Sequence, residues 1–180
     1  MKISLSVILI FIFFASCKSD VKEERIETVS TIYFQSDSLH AIVFKPNHRI
    51  EFQSEDTSMS ILEMWPILSN EGWVPSKSKL LSFKKSFTQY WERAKNDSLA
   101  DLNNLTLVNW RNIDLLDYQV VGYIDSSNSK KMFVNIGNWD ALDMATSDWK
   151  KDWIIINDGG GTYHSIYNAE TDSIELLEFN

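Results

Sequence analysis

Tyr118-Gln119-Val120-Val121-Gly122-Tyr123-Ile124 and Lys131-Met132-Phe133-Val134-Asn135-Ile136, with Asp125-Ser126-Ser127-Asn128-Ser129 between them, are the residues from which the fold is read. Both runs are short and rich in β-branched and aromatic side chains, and the five residues between them suit a turn. That is the pattern of a β-hairpin. Working outward, the chain continues in the same manner toward its C-terminus. Trp153 to Ile156 reads as a short buried strand. Asp158-Gly159-Gly160-Gly161 turns into a strand from Thr162 to Tyr167, and Asn168 to Asp172 turns into another from Ile174 to Phe179.

Toward the N-terminus the period changes from two to between three and four. Leu80, Phe83, Phe87, Tyr90/Trp91 and Ala94 form one stripe, with Lys84, Lys85, Gln89, Glu92 and Arg93 off it. This spacing predicts an amphipathic helix over Ser78–Lys95, capped by Ser76 or Ser78. Met59, Ile61, Leu62, Trp65 and Leu68 predict a shorter helix that ends or bends at Pro66, and Leu99, Leu102 and Leu105 a further helical turn or two. Thr28 to Phe34, Leu39 to Phe44 and Arg49 to Gln53 read as strands, as does Leu105 to Trp110, while Gly137 to Asp152 reads as a long polar connection. The expected fold class is α+β: an antiparallel sheet of N-terminal strands plus a C-terminal meander, with one main helix on a face.

The first residues carry a different message. Lys2 precedes an apolar run from Ile3 to Phe14 broken only by Ser4 and Ser6, and the run closes on Ala15-Ser16-Cys17 before the polar Lys18-Ser19-Asp20. A basic start, a short greasy run and small residues at its end mark a secretory signal. The run falls short of the ~20 residues that cross a bilayer. Phe14-Ala15-Ser16-Cys17 resembles the lipobox of bacterial lipoproteins. That resemblance implies a diacylglyceryl group on the Cys17 sulfur, cleavage after Ser16 and acylation of the new amino terminus. Two or three acyl chains would hold a protein on a membrane, since each buried CH₂ contributes ~0.8 kcal/mol. Residues 1–16 are thus expected as signal, 17–27 as the lipidated cysteine and a charged tether, and 28–180 as a single globular domain. Lys22-Glu23-Glu24 is similar to the signal that sends some Bacteroidota lipoproteins to the outer face of the outer membrane, and a solvated linker explains the same residues. From about residue 115 onward, Tyr118 to Tyr123, Phe133-Val134-Asn135, Trp153 through Asp158-Gly159-Gly160, Tyr163 and Tyr167 resemble uncharacterised Bacteroidota-type lipoproteins, a likeness that brings no activity with it.

Charge and cysteine count exclude several classes. The chain carries 17 basic and 25 acidic residues, a formal net charge of -8 that becomes -9 once Lys2 leaves with the signal. Such a domain repels nucleic acid and anionic headgroups, and its basic residues show no dense cluster. Membrane attachment therefore falls to the lipid on Cys17. Cys17 is the single cysteine, so the domain is expected to hold together by packing without disulfides.

Candidate chemistry is sparse. Asp158-Gly159-Gly160-Gly161 could cradle an anion or present Asp158 as an acid or base, but it lacks the lysine of a phosphate loop and leads into a strand. A wide hairpin turn needs Asp and Gly for geometric reasons alone and is the preferred reading. His164 could pair with Asp158 across that hairpin, or simply face solvent from a strand. His40, His48 and His164 show no ligand spacing, and the aspartates between Asp140 and Asp158 do not follow an EF-hand order; no metal and no cofactor is expected. Seven tryptophans are present, and Trp73, Trp139 and Trp149 fall in expected loops, where aromatic rings recognise proteins or glycans. Trp65, Trp91 and Trp153 are expected in the core. Three functions remain in view: a lipid-anchored, non-enzymatic envelope module that binds a protein or glycan partner; an inhibitor or immunity-type lipoprotein against a basic toxin or hydrolase; and a hydrolase using Asp158 and His164.

Overall fold

The computed structural model describes residues 23–51, 58–64, 71–96, 113–138, 148–154 and 162–179. Within them the strands are β1 (Glu24–Glu27), β2 (Thr31–Ser36), β3 (Leu39–Phe44), β4 (Arg49–Glu51), β5 (Ser58–Ser60), β6 (Gly72–Trp73), β7 (Asp117–Ile124), β8 (Lys130–Gly137), β9 (Tyr163–Asn168) and β10 (Ser173–Phe179). The helices are α1 (Ile61–Met64) and α2 (Lys77–Asn96), with a 3-10 turn at Ile113–Leu115.

The sheet runs β1-β2-β3-β7-β8-β9-β10, with β6 added beside β7 to make eight strands; β4 and β5 pair separately. Every joint in the large sheet is antiparallel except β3 with β7, where His40 to Phe44 run alongside Asp117 to Val121. A parallel joint requires a long crossover, and α2 lies within it. The α+β class holds, and the N-terminal strands and the C-terminal meander meet at this one parallel seam.

The hairpin from which the fold was read is β7–β8, with Tyr118 opposite Ile136 and Ile124 opposite Lys130. Its turn is stabilised by Asp125. One carboxylate oxygen accepts the Ser127 and Ser129 amides, both at 2.9 Å, and the Ser127 hydroxyl at 2.6 Å. Asn128 takes the left-handed conformation, with φ 66°, that Asn tolerates better than most residues. The Ser127 hydroxyl first, then the Ser129 amide and Lys131, hold the Asp125 carboxyl well below the usual carboxylate range.

Alternation then divides the side chains between two faces. Face one gathers Ile32, Phe34, Ala41, Val43, Tyr118, Val120, Met132, Val134, Ile136, Tyr163 and Tyr167 under α2. Leu80, Phe83 and Phe87 project from α2 into this cluster, with Phe83 edge-on to Tyr118 at 5.8 Å and to Tyr167 at 5.4 Å. Ser76 caps α2, its carbonyl accepting the Lys79 and Leu80 amides. Face two gathers Tyr33, Ile42, Phe44, Val121, Tyr123 and Phe133 under Leu62, Trp149, Trp153 and Ile154.

Three expectations change. The charged tether is expected to run to residue 27, yet Glu24–Glu27 is an edge strand paired with Ile32 to Gln35. Its side chains are all exposed, so no hydrophobic pattern announced it, and charges suit an edge that must resist pairing with other chains. Trp153 and Ile154 are buried but lie outside any strand, because side chains of the sheet take the place of a ladder there. Among the described residues the shorter helix is Ile61–Met64, and Met59, expected on its stripe, lies in β5. The expected elements at Leu99–Leu105 and Leu105–Trp110, together with Trp65, Pro66 and Leu68, lie outside the described residues, as do Ile155 and Ile156.

Candidate groove beside the edge strand

The site is assembled by the chain that enters α2. β6 runs antiparallel to the far end of β7, with Gly72 opposite Tyr123 and Trp73 opposite Gly122. Gly122 makes this approach possible. A methyl group there would collide with the Trp73 carbonyl oxygen and the Pro75 ring. Gly72 is equally confined, a Cβ falling 2.5 Å from Pro46 Cγ. The Trp73 indole N–H then donates to two carbonyls, Tyr123 at 3.1 Å and Lys131 at 3.0 Å, and the Lys130 ammonium lies 5.6 Å from the ring centroid. Trp73 is a latch that fixes the segment following it.

That segment, Val74 to Lys77, forms one wall of a groove of about 400 Å³. Ile32 and Phe34 are the floor, and Glu23, just ahead of the edge strand, and Arg25 within it form the opposite rim. The Arg25 guanidinium stands 5.9 Å from the Phe34 ring centroid and donates to Glu27 at 2.7 Å. Lys77 bridges the opening to Glu23 at 2.5 Å. Glu27 also accepts from Lys45 at 2.8 Å, and that bond, with the ammonium charge, lowers the Glu27 pKa. The groove is therefore apolar below and charged above. A volume of this size falls within the ~300–1,000 Å³ of small-molecule sites.

The residues singled out by sequence are distributed differently. Trp149 is only 6% exposed and packs edge-on to Tyr33 at 5.9 Å, so it is a core side chain and not, as expected, a loop aromatic open to a partner. Its burial follows from the segment 148–154 folding onto face two. Trp73 is half-buried and structural. Trp139, Asp158 and Cys17 lie outside the described residues. His164 does not face solvent: it is buried on β9, tilted against Phe133 at 5.4 Å and opposite Asn135 in register.

A second group of polar side chains is buried on face two. Gln119 and Asn135, cross-strand neighbours, close on residues 149–154. The Gln119 amide donates to the Trp149 and Asp152 carbonyls at 2.9 and 2.7 Å, and its oxygen accepts the Ile154 amide at 2.9 Å. Asn135 donates to Gln119 at 3.0 Å and to the Ile154 carbonyl at 2.9 Å. At the end of the parallel seam His40 Nδ1 lies 3.4 Å from a carboxylate oxygen of the buried Asp117. Asp117 and His164 sit two strands apart, on the order of 10 Å at the usual strand spacing, so these groups line a row and do not converge. Among the described residues no group of three His, Cys, Asp or Glu stands together to hold a metal ion.

Sequence reasoning missed the groove because its rims come from separate parts of the chain. The available signal was glycine inside an apolar strand, which marks close backbone approach. Compared with models of known protein families, with curated proteins and with solved structures, the chain matches none.

Proposed function

We propose that the chain is a membrane-anchored lipoprotein of the cell envelope whose folded domain is a non-enzymatic binding module. Cys17, within Phe14-Ala15-Ser16-Cys17, supports the anchor, a lipid on the outer membrane. The observation that carries the binding role is the groove between the edge strand and Val74–Lys77, with its apolar floor and charged rims. Recognition shifts from Trp149 and Trp73 to this groove, because Trp149 is committed to the core and Trp73 to holding the groove wall, while Trp139 stays a candidate outside the described residues.

The test has two parts. Cys17→Ser should move the protein from the membrane fraction to the soluble envelope fraction, and mass spectrometry of the native N-terminus should find acyl chains. A variant that narrows the groove, Val74→Trp, should abolish capture of envelope components by the native protein while leaving its thermal transition in place. A Cys17→Ser protein that stays on membranes sinks the anchor; capture unchanged by Val74→Trp sinks the groove.

A further inference from the structure

We infer that the groove takes a single-chain amphiphile with an anionic head, a fatty-acid carboxylate being the representative chemistry. The inference rests on the binding-module reading above and names the ligand class of the same site. The first argument is chemical complementarity. The floor is Ile32 and Phe34, and Val74 and Pro75 add apolar wall, so an aliphatic chain covers mostly apolar surface there. The opening carries two cations, Arg25 and Lys77, against one lining carboxylate, Glu23. Both cations are already paired, Arg25 with Glu27 at 2.7 Å and Lys77 with Glu23 at 2.5 Å, so an anionic head enters by exchange for a carboxylate.

The second argument concerns exchange. Glu23 has a side chain 58% exposed and reaches Lys77 across solvent, a kind of pair that contributes little. A ligand carboxylate can take its place on Lys77 at small cost while its chain covers Phe34. Glu23 is then a built-in competitor for the cation.

The third argument is position. Glu23 lies six residues beyond Cys17, so no more than ~20 Å of chain separates a lipid anchor from the rim. A membrane is the local source of such amphiphiles, and the groove opens within reach of it.

The experiment uses the full chain carrying Cys17→Ser, which cannot take a thioether-linked lipid, and titrates it with octanoate, octanol and octyltrimethylammonium below their micellar concentrations. Amide resonances report the site. Octanoate should shift Ile32, Phe34, Val74 and Lys77 saturably, with octanol and the cation about fivefold weaker or more. Arg25→Gln and Lys77→Gln should each weaken octanoate by roughly two- to fivefold and leave octanol unchanged. Glu23→Gln should tighten octanoate, a sign that a merely structural role for the pair does not produce. Equal binding of octanoate and octanol, saturable shifts elsewhere in the domain, weaker octanoate binding to Glu23→Gln, or no saturable binding would each overturn the inference. Octanoate binding in a protein whose native Cys17 proves unlipidated keeps the ligand class and removes the membrane as its source. A lipidated Cys17 with no octanoate binding does the reverse.

Discussion

Helix α2 lies on one face of the sheet with Leu80, Phe83 and Phe87 turned inward, whereas the opposite face is closed by residues 148–154, an irregular segment bringing Trp149, Trp153 and Ile154 to the core. The apolar volumes are comparable in kind, and the polar accounting is not. A helix satisfies its own amides and carbonyls, so the sheet beneath it can be dry. An irregular segment brings unpaired carbonyls and amides into the core, and buried backbone groups must find partners. Gln119 and Asn135 are those partners. The lesson is that two amides within the central strands, at positions where face one carries aliphatic and aromatic groups, are there because of what covers them.

The comparison can be broken most severely on the helix side. Phe83 touches Tyr118, Tyr167 and Phe87, and is about 1% exposed. Phe83→Ala should cost about 3–5 kcal/mol, the usual range for an emptied aromatic site, read as a lowered midpoint in urea. On the other face Gln119→Leu keeps bulk but removes bonds to Trp149, Asp152, Ile154 and Asn135. It should cost roughly 3 kcal/mol and open residues 148–154 to hydrogen exchange while α2 remains protected. Equal loss of protection on both faces would show that the amides support the whole sheet and not the segment alone.

The smallest effect sharpens the contrast through pH. His48 is buried on the second face, edge-on to Phe44 at 4.5 Å; burial lowers its pKa from 6.5, and the Asp152 charge opposes that shift in part. The unfolded chain therefore takes up the proton first as pH falls. Stability is whole above about pH 6.5, declines as pH drops from there through the folded value, and levels out below it. His48→Gln should flatten this stretch of the pH profile in thermal melts, whereas Phe83→Ala should leave it in place.

Short-range pattern was sufficient for the α+β class, for α2 and for the pairs β2–β3, β7–β8 and β9–β10. The reason is that a 3.6-residue stripe and a turn flanked by β-branched runs are local properties. Tertiary structure alone decided the rest. The parallel seam that puts His40 beside Asp117, the burial of Trp149 and the groove between Arg25 and Lys77 all join residues far apart in the chain. No periodicity encodes such meetings, because each depends on which face an element covers and which backbone groups that cover leaves to be satisfied.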